Sequence, residues 1–296
     1  MNNSFFGFRG NISFPNQVSI YNFDLQNNST SKNKIFRDFF NMIETKKMFE
    51  SKYQKRIYYL IFKNKYNDIL HCQLARKKQI NRRELIEKDI IDTEDEDYPY
   101  VNIFVELESQ KFLIESNTQV FDNYNTCSNV LENIINSNLK EKEIRINLNP
   151  IIEENDFWKY FYPGAKIYNI HFKLIAPNSF DAEDSASDFI NAAQDDVGAN
   201  IVNVDFCNSD GNLNPNKKGI GSFINYISNG GGDWKISVIS SNGKKETISS
   251  KQKSVKVNVP ISYDELKSQN LTVEQLYEIT NCFSKIEKTV KFRRNK

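Results

Sequence analysis

Histidine is nearly missing from this chain: its 296 residues include two, His71 and His171. A metal motif with paired histidines on one helix is therefore excluded, and a zinc site would need ligands from distant segments. Both histidines fall in strand-like stretches, where a packed or half-exposed ring is the ordinary case. The four cysteines, Cys72, Cys127, Cys207 and Cys282, form no CxxC pair. That spacing predicts four reduced thiols rather than a disulfide framework. Cys72 directly follows His71, so in a strand their side chains leave on opposite faces and cannot act together as nucleophile and base. Long apolar runs are lacking too; "IYYLIF" is far too short to span a bilayer. The opening "MNNSFFGFRGNISFPN" has no cationic segment leading into an apolar run and a small-residue cleavage site. The expected location is the cytoplasm, away from membranes.

Glycine and proline are sparse at eleven and seven, yet six of the glycines fall within "FCNSDGNLNPNKKGIGSFINYISNGGGDW". That stretch reads as a calcium loop, a phosphate cradle or a connector. Calcium fails on spacing: with Gly211 sixth in an EF-type loop, the first residue is Phe206 and the twelfth Lys217. "NKKGIGSF" places Lys217, Lys218 and Gly221 at a helix start, where free N–H groups favour an anion. It lacks the Lys-Ser/Thr of a Walker A sequence and the third glycine of a dinucleotide fingerprint. The expectation is a connector, turning into the helix "GIGSFINYIS" and out of it at "NGGGDW", with residual anion affinity at those three residues.

What the chain does hold is enough apolar matter for a core. Hydrophobic residues make up 39% and aromatics 13%, carried by 22 Phe and 14 Tyr, which excludes global disorder and favours sheet surfaces. Strands are predicted at "FFGFRGNISF", "VSIYNFDL", "RIYYLIFK" and "ILHCQLA", the last two joined by a turn at "NKYND". "VNIFVEL" alternates Val101, Ile103, Val105 and Leu107 on one face; "KFLIES" returns, and "EIRINLN" alternates Ile144, Ile146 and Leu148. Further strands are "KIYNIHFKLIAPN", where Ile170 competes with His171 for the inner face, and "NIVNVDF", "WKISVIS", "KETIS" and "VKVNV". Helical stripes are predicted at Ile35, Phe36, Phe39, Phe40 and Ile43 of the helix "KNKIFRDFFNMIETKKMF", and at Val130, Leu131, Ile134 and Ile135 with Thr126 as N-cap. Another helix runs through "SASDFINAAQDD" from a Ser185/Asp188 capping box to a stop at Gly198. The last is capped by Thr272 and Gln275 and buries Val273, Leu276, Ile279, Phe283 and Ile286. The charged "RKKQINRRELIEKDIIDTEDEDYPY" reads as a long surface loop with one helical turn. The fold class is α+β, with mixed or antiparallel sheets and helices packed on them, in two structurally similar halves. Residues 1–160 form a basic half and 161–296 a second, either as two domains or as one continuous unit.

The net charge of +1 conceals strong blocks. Residues 32–88 carry 16 Lys/Arg against 6 Asp/Glu, whereas residues 89–108 carry eight acids and no base. In the basic block, Lys55, Arg56, Arg76, Lys77, Lys78, Arg82 and Arg83 are interleaved with Tyr58, Tyr59 and Tyr66. Cations neutralise phosphates and aromatics stack on unpaired bases, so this is a candidate RNA-binding or DNA-binding footprint. It matches no RRM core and no KH loop, and a solvated basic face balanced by the following acids explains the same composition. Asp95, Asp97, Glu106 and Glu108 are candidate magnesium ligands of a nuclease. The acid-x-Lys of restriction-type nucleases is absent, however, because Glu106-x-Glu108 has no lysine at the required place. No catalytic residue is assigned and no cofactor is expected.

Three segments together resemble a bacterial family known as domain of unknown function 4747. They are "VNIFVELESQKFLIES" with its following helix and "EIRINL", then "FKLIAPNSFDAED", and "GDWKISVISSNGKKETISSKQ" with its Asn242-Gly243 turn. The resemblance spans roughly residues 95–260. It implies a cytoplasmic bacterial accessory protein encoded with phage-defence genes, and it carries no catalytic residues across. The leading expectation is an antiviral defence sensor that binds nucleic acid or a phage component through the basic face. The alternatives are a magnesium-dependent nuclease and an oligomeric scaffold that docks a partner effector.

Overall fold

The computed structural model describes residues 3–13, 29–86, 88–140, 144–176, 185–239, 243–267 and 271–291. The chain opens with β1 (Asn3–Ser13) and α1 (Ser29–Lys46). The ladder β2 (Met48–Tyr53), β3 (Arg56–Tyr66) and β4 (Ile69–Arg76) follows, then a pair, β5 (Lys78–Ile86) and β6 (Asp89–Asp97). A hairpin of β7 (Tyr100–Glu106) and β8 (Lys111–Glu115) leads to α2 (Tyr124–Leu139) and β9 (Arg145–Pro150). Next come α3 (Asn155–Trp158), β10 (Lys166–Ile175), α4 (Ser185–Val197), β11 (Ile201–Cys207), α5 (Lys217–Ser228), β12 (Gly232–Ile239) and β13 (Lys245–Ser249). The chain closes with β14 (Lys256–Val259), α6 (Tyr263–Lys267) and α7 (Val273–Lys291). Among the described residues, no helix is long and apolar enough to cross a membrane. The strand expected at "VSIYNFDL" and Asn242 of the Asn242-Gly243 turn lie outside them.

Eight strands make one sheet, in the order β14-β1-β8-β7-β4-β3-β2, with β9 pairing further along β1. Four make a second, β11-β10-β12-β13, and β5 and β6 stand as a pair of their own. The fold is α+β with antiparallel ladders, and the two halves share a class but differ in size. They also interleave, because β14 returns from the far end of the sequence to pair with β1.

The large sheet is covered on both faces, which explains its long hydrophobic strands. Val101, Ile103 and Val105 of β7 point into a core with α1 and α2, while Phe104 points into a second core with α7. Aromatic rings fill the first core: Phe36 meets Phe112 edge-on at 5.8 Å, and Phe39 lies over Phe49 at 6.0 Å. In the small sheet, a register shift between Ile167 and Asn169 switches the alternation of β10. Ile170, Phe172 and Leu174 then face inward and His171 faces out, which settles the ambiguity of that strand.

Four expectations need correction. The stretch read as a charged loop is the nine-residue ribbon β5–β6. Its basic and acidic blocks are opposite strands, and with neither face buried the hydrophobic alternation that marks strands is missing. Next, α2 is capped by Asn123, whose side chain accepts the Thr126 N–H at 2.9 Å, so the helix starts before Thr126. The predicted stripe of α7 holds for Ile279, Phe283 and Ile286, but Val273 is 84% exposed. Each step of three residues falls about 60° short of a full turn, so two such steps from Ile279 carry Val273 off the buried face. Finally, the helical reading of "KKMF" fails because Lys47 (φ 67) ends α1 and Met48 begins β2.

The glycine-rich connector docks the sheets on each other. Asn11 of β1 donates to the Gly230 carbonyl at 2.7 Å, and Ile152 N–H donates to the Ser228 carbonyl at 3.2 Å. Gly232 has φ +152, and a Cβ there would lie 1.9 Å from the Lys173 carbonyl oxygen. Neither neighbour can yield, since both are backbone in paired strands. Gly232→Ala is therefore expected to cost about 3 kcal/mol or more in a thermal melt followed by Trp234 fluorescence. Gly243→Ala, at φ +76 with open space around it, should cost about 1–2 kcal/mol. Equal losses at the two sites would refute the close approach at Gly232.

Candidate functional site

The structure does not gather the basic footprint into one place. Tyr58 is 2% exposed and stacks on Phe121 at 5.9 Å, so its ring is not offered to a base. The Tyr66 hydroxyl accepts the Leu271 N–H at 2.8 Å, tying β3 to the start of α7. Tyr59 is half-buried, 5.8 Å from the Tyr98 ring. Arg82 pairs with Asp95 and Arg83 with Asp92, each at 3.2 Å, and Lys77 pairs with Glu96. Lys78 is exposed at the root of the ribbon and Arg76 half-buried at the end of β4. Lys55 and Arg56 sit at the β2–β3 turn, one long strand (about 30 Å) from Tyr66. The cause is topological: the acidic block folds back antiparallel on the basic one and takes its charge.

Nor do the candidate nuclease acids converge. Asp95 is on the ribbon opposite Ile80 and pairs diagonally with Arg82, whereas Glu106 is at the far end of β7, near Lys111 at 3.8 Å. Among the described residues, no group of three or more His, Cys, Asp or Glu side chains is placed to hold a metal ion. At α5 the predicted anion site is partly filled by the chain itself: Asn216 caps the helix and accepts the Gly219 N–H at 2.8 Å. The Lys217 ammonium leans over the Trp158 ring at 6.0 Å.

Two surfaces stand out instead. The first is the β5–β6 ribbon. Where its strands converge, Leu85 and Ile90 face each other while 75% and 72% exposed, and Ile91 is 45% exposed. With Ile91 next to Ile90, they form an exposed apolar group at one end of the ribbon. Sequence reading missed them because the surrounding charge hid the strand pattern.

The second is an open groove of about 820 Å³ between α2, β2 and β9. Its floor is the polar face of α2, which also closes the sheet. Asn136 exchanges two hydrogen bonds with Ile146 of β9, its Nδ2 donating at 3.0 Å and its Oδ1 accepting at 2.7 Å. Glu132 accepts the Leu148 N–H at 2.8 Å, and Asn133 accepts from the Ser51 hydroxyl of β2 at 2.9 Å. Burial holds the Glu132 carboxyl above its ordinary range, opposed by that N–H and by the charges of Lys251, Lys173 and Arg145. Tyr53, Lys140 and Arg145 stand around the groove. The helical period of α2 marked its inner face, but its outer Asn residues carry no strong sequence signal.

A buried polar chain runs through the second face of the large sheet. Glu115 accepts both the backbone N–H and the Nδ2 of Asn102 at 2.8 Å. Asn102 Oδ1 therefore faces His71 Nε2 at 3.0 Å, so that nitrogen carries the proton and Nδ1 is the basic one. Burial, aided by Lys63, lowers the His71 pKa from 6.5 to about 4, so the ring is neutral at neutral pH. Between those values the unfolded chain binds more protons than the folded one. Stability is thus expected to fall as pH drops from 6.5 to 4, by about 3 kcal/mol through this residue. Burial raises the Glu115 carboxyl, which acts in the opposite sense above pH 4.5. Denaturant melts of His71→Gln should show a shallower loss across that window than the parent chain; identical pH curves would contradict the assignment.

Searches of the curated proteins and of the solved structures return no match. A family model described as "Domain of unknown function (DUF4747)" matches residues 16–277, taking in the basic block and every strand of both sheets except β1. The chain belongs to the DUF4747 family.

Proposed function

We propose that this chain is an accessory protein of bacterial phage defence that acts by docking a protein, a phage component or a partner effector, rather than by catalysis. The observation that carries this reading is the β5–β6 ribbon. It shares no ladder with either of the other sheets, its Arg82 and Arg83 are paired with its own acids, and its apolar pair Leu85/Ile90 is open. Exposed ion pairs of this kind contribute at most about 1 kcal/mol each, so they order the ribbon without supplying a core. Burying two large aliphatic side chains on a partner supplies about 3–6 kcal/mol of driving force. With six acids on β6, the ribbon carries a net negative charge, which suits a cationic partner surface and disfavours a phosphate backbone. The defence setting is what the family resemblance implies.

Leu85→Asp with Ile90→Asp is expected to leave the melting temperature within about 2 °C, because neither residue packs on the fold. The same double variant should lose a complex that the parent chain forms in phage-infected cells, measured by size-exclusion chromatography with light scattering on tagged protein. A complex of unchanged mass in the variant would rule out docking through the ribbon. A parent chain that doubles in mass when purified alone would identify the partner as a second copy.

A further inference from the structure

We infer that the groove between α2, β2 and β9 binds a phosphate-bearing ring compound: a nucleotide, either free or at the end of a nucleic-acid strand. The volume of about 820 Å³ lies in the range of small-molecule sites and is ample for one nucleotide. Its charge is one-sided. Lys140, at the C-cap of α2, and Arg145, the first residue of β9, line it, and Lys55 and Arg56 follow Tyr53 around the β2–β3 turn. The carboxylate that lines it, Glu132, is occupied by the Leu148 N–H.

The C-terminal carbonyls of α2 give that end a partial negative charge, so a phosphate must be held there by side-chain cations and not by the helix. Arg145 offers a planar fork suited to phosphate oxygens. Tyr53 is half-buried at the end of β2, and the following Gln54 and Lys55 both have positive φ, which fixes the turn beside it. An aromatic ring held at a groove wall is a stacking platform for a base. Asn129 and Ser137 line the floor with no side-chain hydrogen bond among the described residues, so these side chains are available to the edge of a base or a ribose. Cations, one ring, a spare amide and a spare hydroxyl in one concavity match a nucleotide better than a bare anion, which would leave those polar groups unused.

The test is calorimetric titration of the full chain at low salt with AMP, ATP, adenosine, inorganic phosphate and a five-nucleotide single strand. AMP or ATP is expected to bind with a Kd below about 1 mM, at least tenfold tighter than phosphate or adenosine. Arg145→Glu should weaken that binding at least tenfold with an unchanged melting temperature, since Arg145 is exposed. Lys140→Glu gives a second surface variant that cannot fail by unfolding the core, and Tyr53→Leu should weaken AMP more than phosphate. Tighter binding of the strand than of AMP, with the same dependence on Arg145, would assign the site to a strand end; the reverse order would assign it to free nucleotide. The inference is overturned by phosphate binding as tightly as AMP. It is equally overturned by affinity that Arg145→Glu and Lys140→Glu leave unchanged, or by no heat from any nucleotide or strand at 1 mM.

Discussion

The edge of β9 is where the large sheet would come apart. Its inner neighbour is β1, and its outer N–H and C=O groups face α2 in place of a further strand. Asn136 and Glu132 meet those groups one by one, and Asn133 ties the same helix to β2 at the opposite end of the sheet. Left without partners, the Ile146 and Leu148 amides would each cost about 1–3 kcal/mol. One polar helix face therefore keeps the sheet wrapped around α1 and α2. The phenylalanine core and the shape of the groove follow from that closure.

Charge is handled in opposite ways in the two parts of the molecule. Inside the sheet, His71 stays neutral and Glu115 is held by two donors from Asn102. On the ribbon, charge is plentiful and net acidic, with Arg82 and Arg83 each paired across the strands, while the apolar pair at its converging end is left open. The same chain hides Phe5, Phe104 and Trp234 completely yet leaves Leu85 and Ile90 exposed, which is the contrast the proposed docking role rests on. The groove differs again, being concave, amide-lined and cationic.

Much of the fold was legible. The alternation in "VNIFVEL" and "EIRINLN" and the Thr272/Gln275 capping box read directly, because each is a local pattern with a local cause. The connector reading of the glycine-rich stretch also matches α5 and the turn into β12. What did not read were features set by partners distant in sequence. The ribbon lacked a buried face to print an alternation on it. His171 could not be placed until the register shift in β10 was known. The candidate sites were the least legible part: composition located the charge, but the cross-strand pairing of Arg82 with Asp95 and Arg83 with Asp92 decides which cations remain available.

The central claim is that the ribbon's apolar end meets a protein. A photo-crosslinking amino acid placed at position 85, in the full chain expressed in its own host during phage challenge, tests it most directly. The account predicts a discrete crosslinked protein species at position 85 that is absent when the same group is placed at exposed Lys218, on the opposite sheet's helix. Crosslinks equally weak at both positions, or crosslinks to nucleic acid at position 85, would contradict it.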